Sequence, residues 1–264
     1  MQKILLAGAV LIALIAAPAA RAADIAMPVK APVLMKVYDW TGFYVGANAG
    51  YGWGSQSIAL SGSGALALAF TDGRLPTSLA SNPQGFLGGV QAGYNYQSGR
   101  MVFGVETDIA YADIRRSETV SLAPIPPVTY NTTGEQKLDW FGTLRARLGF
   151  LPSDRLLVYA TGGLAYGHGS VSTDSVVVLG GNACAFFVGC GSGSSSGWLA
   201  GWTVGGGLEW AFADKWSAKG EYLYYDLGSL SYSYLDSQPV VGEYNASANF
   251  RGSIVRVGLN YKFN

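Results

Sequence analysis

Charged residues are scarce in this chain, at 13% of 264 residues, whereas soluble domains carry about 25%. Lys+Arg and Asp+Glu are balanced at 17 each, so no basic excess is present to attract nucleic acid. Beyond the first twenty residues, no apolar run reaches the ~18 residues that a membrane helix needs. Hydrophobic residues nevertheless make up 49% of the chain. An apolar chain without such helices points to strands that cross a membrane as a closed barrel.

Cysteine and histidine are also rare. Cys184 and Cys190 are the only cysteines, and they lie six residues apart in a Gly/Ser-rich segment. In an exported protein we expect them to form a loop-closing disulfide. Two cysteines without neighbouring histidines make a poor zinc site, so we predict no metal and no cofactor.

The N-terminus has the features of a secretory signal peptide. Lys3 precedes the apolar segment 4–17, and an Ala-Arg-Ala cleavage motif follows. A membrane anchor is the alternative, but the apolar run is short for one. We predict a signal peptide over residues 1–22, a flexible periplasmic lead-in over 23–39 and a barrel over 40–264.

Alternation of apolar and polar residues with a period of two runs through the rest of the chain and predicts strands with two different faces. The last strand is the clearest, because Val255, Val257 and Leu259 alternate with Arg256, Gly258 and Asn260. The apolar faces of the eight predicted strands lie within 43–53, 86–96, 103–111, 140–150, 156–166, 202–212, 216–224 and 255–263.

The connections between these strands alternate in length. Short turns fall at 98–99, 152–154 and 213–215, and long loops at about 55–83, 113–137, 169–198 and 229–250. Even strand number, alternating turn length and aromatic residues at strand ends are typical of an outer-membrane barrel. We therefore predict an all-β fold, an eight-stranded antiparallel up-and-down transmembrane β-barrel in the cell outer membrane. The alternative, a soluble barrel such as a lipocalin, would place its apolar residues inside.

Both ends of the predicted barrel resemble a known family. The opening DWTGFYVGANAGYGWG and the closing GSIVRVGLNYKF are similar to the alphaproteobacterial 25-kDa and 31-kDa outer-membrane proteins, small OmpA-like barrels often labelled porin family proteins. The resemblance covers residues 39–263 and implies a surface-exposed barrel tied to envelope integrity. Such barrels usually end on the aromatic residue that the barrel-assembly machinery reads. Because Asn264 follows Phe263 here, we expect Phe263 to act as the assembly signal one residue inward.

If the apolar faces contact lipid, the charged residues between them point into the barrel. We expect Arg145 and Arg147 to pair with Glu106 and Asp108, and Glu209 to lie opposite Lys219. An eight-stranded barrel is only wide enough for side chains to fill it, so a plug of ion pairs is expected. A narrow channel for small solutes is the alternative. The predicted interior ion-pair residues are Glu106, Asp108, Arg145, Arg147, Glu209, Lys219, Glu221, Arg256 and Lys262.

A third reading of the chain is a lipid A-modifying enzyme. His168, the only histidine, and Ser170 form an H-x-S pair at the top of a strand, as in some outer-membrane deacylases. Asp174 is the nearest carboxylate in the chain, and no residue is evident that would orient the histidine. We therefore predict no catalysis.

The long loops are rich in Gly, Ser and Ala and carry few charges. Surface loops are where specific binding usually resides, and lipopolysaccharide, a host receptor or a phage would each fit this composition. The sequence thus predicts a structural barrel that supports the envelope and presents loops. Its expected partners are outer-membrane lipid, lipopolysaccharide and the barrel-assembly machinery, and no nucleic acid.

Overall fold

The computed structural model describes residues 37–184, 189–237 and 242–263. The predicted signal peptide, most of the predicted lead-in and Asn264 lie outside the described residues. One short helix is found in the described part, and it lacks the length and apolar character to cross a membrane. The elements in chain order are β1 (Gly42–Trp53), β2 (Gln56–Gly62), α1 (Leu66–Thr71), β3 (Ser78–Ser81), β4 (Gln84–Ser98), β5 (Met101–Ile125), β6 (Val128–Ser153), β7 (Leu156–Leu179), β8 (Asn182–Ala183), β9 (Gly191–Ala211), β10 (Trp216–Leu235) and β11 (Glu243–Lys262).

Eight long strands form a closed ring. They follow one another in the order β1, β4, β5, β6, β7, β9, β10 and β11, each antiparallel to its neighbours. The ring closes where β1 pairs with β11, from Tyr44 opposite Lys262 to Trp53 opposite Ser253. No strand edge is therefore left open at this level, which is the condition for a sheet in lipid. The predicted eight-stranded barrel is confirmed; β2, β3 and β8 are additional short strands.

The outward face of the ring is apolar, as predicted. Phe86 is 74% exposed, and Val257 and Leu164 are 64% and 63% exposed. Exposed side chains of this kind fit a surface that contacts lipid rather than water. The aromatic residues near the periplasmic ends of the strands include Tyr94, Tyr96, Phe150, Phe212, Trp216 and Phe263, and those near the outer ends include Tyr111, Trp140 and Trp202.

The strands are much longer than the bilayer requires. About 9–11 residues are enough to cross it, whereas β6 has 26 residues and β5 has 25. The prediction of long loops was therefore wrong over much of 113–137, 169–198 and 229–250, which are mainly strand. We call the part of the sheet beyond the outer aromatic residues the extracellular extension.

The sequence did not predict the extension because the inward and outward faces of the longer strands exchange their polar and apolar residues beyond the lipid, as β11 shows. The alternation of inward and outward side chains along β11 is unbroken, and even-numbered residues point inward throughout. Inside the lipid band the inward residues are polar and the outward ones apolar. From Ile254 back to Tyr244 the order is reversed, with Phe250 and Tyr244 buried and Arg251 exposed. This reversal is what a sheet needs when its outer face leaves lipid and enters water.

In the extension, two groups of strands pack their inner faces together. Strand β10 pairs with β9 only as far as Asp226, where a bulge and the positive φ of Gly228 (85°) redirect it. Strand β2 pairs with β11 and β3 pairs with β2. This hairpin brings Ile58 and Leu79 against Gly134 of β6, where a Cβ atom would lie 2.6 Å from Leu79. The buried apolar residues between the groups, which we call the outer core, include Ile58, Leu60, Leu79, Ile114, Tyr130, Val177, Leu223, Tyr225, Tyr234, Tyr244, Phe250 and Ile254.

A smaller apolar cluster, the periplasmic cap, lies at the opposite end of the barrel. It consists of Tyr38, Trp40, Val102, Leu151, Leu157, Tyr159 and Ala211. Trp40 is the first residue of the predicted barrel, but it is only 2% exposed and precedes β1. Its indole Nε1 donates to the Asp154 carbonyl (3.1 Å), and its backbone N–H donates to Gln97. Tyr38, at the end of the predicted flexible lead-in, and Trp40 are thus packed under the barrel, where the indole is buried with its N–H satisfied.

Replacing Trp40 with alanine should destabilise the barrel by about 3–5 kcal/mol, because a large buried side chain is lost. The midpoint temperature of the heat-dependent gel shift in SDS would report the loss. Trp210→Ala is the matched control, since Trp210 is 57% exposed on the outer surface. Equal shifts for the two variants would contradict the packed position of Trp40.

Candidate functional site: the barrel interior and the outer rim

Eight charged side chains meet in the middle of the barrel, between the periplasmic cap and the outer core. They come from five of the eight ring strands, and each is at most 4% exposed. Because the period-two pattern sends every second residue inward, each of these residues is placed by its strand alone. We call the set the ion-pair layer; it consists of Glu106, Asp108, Arg145, Arg147, Glu209, Lys219, Glu221 and Arg256.

Arg145 lies at the centre of this layer. Its guanidinium contacts Glu106 at 2.5 Å, Glu221 at 2.8 Å and Asp108 at 3.2 Å. Arg256 joins two of the same carboxylates, Asp108 at 2.9 Å and Glu221 at 2.7 Å. The two arginines therefore share their acidic partners, as expected of a desolvated network rather than of separate pairs.

Arg147 and Lys219 complete the layer on its periplasmic side. Arg147 contacts Glu209 at 2.7 Å and Glu106 at 3.3 Å. Asp108, which was also expected to hold Arg147, bonds Arg145 and Arg256 instead. Lys219 lies opposite Glu209 in the strand register, as predicted, but its ammonium reaches across to Glu106 at 2.7 Å. The lysine side chain is long enough to reach Glu106 across the barrel, and it pairs with that residue rather than with Glu209 on the next strand.

Two buried tyrosines belong to the network and were not predicted. The Tyr44 hydroxyl donates to Glu106 (2.7 Å) and accepts from Arg147 (2.7 Å). The ring of Tyr159 lies 3.9 Å from the Arg147 guanidinium carbon, a cation–π geometry. Alternation places both on inward faces, so the signal was present. The predicted interior set contained charged residues only.

Lys262 is placed apart from the eight residues of the layer. It lies at the end of β11, where its ammonium donates to the Asp39 carbonyl and lies 4.5 Å from the centre of the Tyr38 ring. Near the end of its strand a lysine can extend toward water, which is its preferred surrounding. The ion-pair layer therefore contains four acids and four bases, where the sequence suggested four and five.

The outer core is built from apolar and aromatic side chains. Tyr234 and Tyr244 stack with ring centroids 4.7 Å apart, and the Tyr232 hydroxyl bonds Thr173 at 2.9 Å. Burial raises the pKa of Tyr232 to about 12, so this hydroxyl stays protonated at neutral pH. Cys184 and Cys190 are joined in a disulfide beside these rings, and Cys190 is 1% exposed.

His168 faces outward at the outer rim, not into the barrel. A bulge in β6 places Asp139 beside it, with the Asp139 Oδ2 atom 3.4 Å from the His168 Nδ1 atom. The carboxylate next to the histidine is therefore Asp139 and not Asp174, which is nearest in the chain. The His168 ring packs edge-on against Trp198 (5.6 Å). Among the described residues, no hydrogen bond joins His168 to Ser170. The described part of the chain also contains no cluster of three metal-ligating side chains.

The ring of strands is closed, its outer band is apolar and faces lipid, and its interior is polar and buried. Together these features define an outer-membrane β-barrel. The chain matches the family described as "Outer membrane protein beta-barrel domain" over residues 7–263, and it belongs to that family. Within the family it is similar to the alphaproteobacterial proteins suggested by its two end motifs. It is 38% identical to the 31 kDa outer-membrane immunogenic protein of Brucella melitensis, with 100% of both chains covered. It is 29% identical to the 22 kDa outer membrane protein of Rhizobium leguminosarum, over 85% of this chain and 78% of the relative.

The fold is shared with solved barrels of much lower sequence identity. Outer membrane protein OprG from Pseudomonas aeruginosa aligns with a TM-score of 0.50 at 11% identity, over 86% of this chain and 98% of that one. The family match and the names of the relatives place the protein in the outer membrane.

Arg145→Leu should weaken the barrel by about 3–5 kcal/mol, because three buried carboxylates lose a shared partner. We would measure the free energy of unfolding in urea, with the gel-shift temperature as a second readout. Arg116→Leu, at an exposed ion pair with Glu118, is the control and should change stability little. If both variants unfold at the same urea concentration, the layer contributes no more than a surface pair.

Proposed function

We propose that this protein is a structural barrel of the outer membrane whose interior is closed to solutes. The observation that carries the proposal is that three packed layers follow one another along the barrel axis. The periplasmic cap, the ion-pair layer and the outer core follow one another, and each is made of buried side chains. Four acids and four bases that neutralise one another also leave no ring of one charge to select ions.

A planar bilayer experiment tests the closed interior. Purified wild-type protein should give no stable conductance steps, because the side chains of all three layers must move before a solute can pass. Tyr44→Ala together with Trp40→Ala removes two large side chains from the periplasmic half and serves as the comparison. Regular, voltage-independent steps from the wild-type protein would favour the alternative, a narrow channel.

The extracellular extension gives the closed barrel a second role at the cell surface. The 31 kDa relatives are named as immunogenic, which fits proteins whose outer segments are reached by antibodies. In this chain the outward face of the extension is polar, with Ser231, Ser233, Asn245 and Ser247 on neighbouring strands. We infer that the barrel supports the envelope and holds this surface rigidly above the lipid.

The integrity role is tested in cells. A deletion strain should be more sensitive to detergents and to large antibiotics, and the wild-type gene on a plasmid should restore resistance. A strain with an unchanged permeability barrier would argue against this role, whatever the conductance of the purified protein.

We further propose that the protein is not an enzyme. His168 packs against Trp198, and Asp139 is shared with Lys137, which it contacts at 2.5 Å. A carboxylate held by a lysine is a weaker partner for a catalytic histidine. Mass spectrometry of lipid A from cells overproducing the protein should give an unchanged acyl pattern, and a lost chain would overturn this conclusion.

A further inference from the structure

Two cations face each other at the outer edge of the lipid band. The register of β5 and β6 pairs Arg115 with Lys137, and their side chains are 61% and 31% exposed. Like charges directly opposite one another destabilise an antiparallel pair. By contrast, the rim residue Arg251 lies opposite Asp226. The arrangement on β5 and β6 would be relieved by an anion bound between the two side chains.

Both cations already have carboxylate neighbours, but these leave donors available. The Arg115 Nε lies 3.3 Å from Asp113, and the Lys137 ammonium 2.5 Å from Asp139. Ion pairs at an exposed surface hold their partners only weakly. Within the described residues the two Nη atoms of Arg115 make no hydrogen bond, so the guanidinium can donate two parallel bonds to a phosphate.

The depth of this cation pair in the membrane matches that of lipid headgroups. Tyr111 and Trp140 are opposite one another just below it, with ring centroids 5.6 Å apart. Aromatic side chains of barrels gather at the membrane–water interface. Residue 115 is four positions beyond Tyr111, or about 13 Å along the strand, which places the cations among headgroups and not among acyl chains.

An apolar groove lies on the lipid face below the aromatic pair. It has a volume of about 720 Å³, lies mainly on β1, β4, β5 and β11, and is also lined by Tyr166 of β7 and Trp216 of β10. On β5 the groove reaches Ile109, two residues before Tyr111 on the same strand. Its lining includes the small residues Gly46, Ala47 and Ala92, whose short side chains leave room between larger neighbours.

We propose that this surface binds one phosphorylated glycolipid of the outer leaflet. A phosphate lies between Arg115 and Lys137, the sugar rests against Tyr111 and Trp140, and an acyl chain occupies the groove. The proposal rests on the function proposed above only in requiring a barrel fixed in the outer membrane. It identifies a specific lipid partner that the closed barrel would carry at its rim.

Native mass spectrometry of the full-length protein in detergent micelles can count bound lipids. The probe is diphosphoryl lipid A, compared with the same lipid after dephosphorylation and with phosphatidylglycerol. Wild-type protein should retain one diphosphoryl lipid A, and Arg115→Gln with Lys137→Gln should bind it at least about tenfold more weakly, as loss of charge-assisted hydrogen bonds implies. Arg251→Gln is the matched control and should bind like the wild type.

A second pair of variants tests the groove. Ala92→Phe fills it and should weaken binding, whereas Ala146→Phe, on the lipid face of β6 and outside the groove, should not. A heat-dependent gel shift verifies that each variant is folded, and Lys137→Gln alone is available should the double variant fail to fold. Equal binding of the dephosphorylated lipid or of phosphatidylglycerol, or full competition by millimolar inorganic phosphate, would overturn the proposal. We expect these variants to leave the conductance of the barrel unchanged. Failure of the lipid-binding proposal would therefore not count against the proposed closed interior.

Discussion

The pairing of every backbone N–H and C=O group within lipid is the constraint on which the rest of this structure depends. It requires β1 to pair with β11, and that closure fixes a ring of eight strands. Eight strands leave an interior that side chains fill. Charged residues that point inward are therefore taken out of water, and they are stable there only when opposite charges meet. The sharing of Glu106 by Arg145, Arg147 and Lys219 follows from this lack of space.

The same strands serve two solvents, and this explains the order of the layers. In lipid the outer face is apolar and the inner face is free to hold charge. Above the lipid the outer face meets water, so the inner face must supply the hydrophobic core, as in a soluble sheet packing. On β10 the inward residues change from Lys219 and Glu221 to Leu223 and Tyr225 within six positions. The ion-pair layer is thereby enclosed by apolar packing on both sides, and this enclosure is the basis of the structural role proposed above.

The boundary between the two solvents is also where the outward charges appear. Asp113, Arg115, Lys137 and Asp139 all lie directly beyond the aromatic pair of Tyr111 and Trp140. Bulges in β5 and β6 occur at the same level. A bulge turns side chains relative to the sheet, and here it gathers charged groups on one side of the rim. The outward-facing His168 belongs to this rim, which is why its neighbours differ from those suggested by chain distance.

The sequence by itself determined the ring, the lipid face and the eight charged residues of the ion-pair layer, because all three depend on alternation and turn length, although it also assigned Lys262 to the interior. It did not determine the partners: Arg147 with Glu209, Lys219 with Glu106, and Asp139 beside His168 each depend on distances across or between strands. The extension was not predicted because strands were identified by an apolar outer face. That rule fails beyond the lipid, where Tyr244 and Phe250 point inward and polar residues face water. Trp40 lay beyond any periodic segment, and only the closed base of the barrel shows where its indole is buried. Period and polarity are local properties of a chain, whereas pairing across a barrel is decided by the tertiary structure that brings distant strands together.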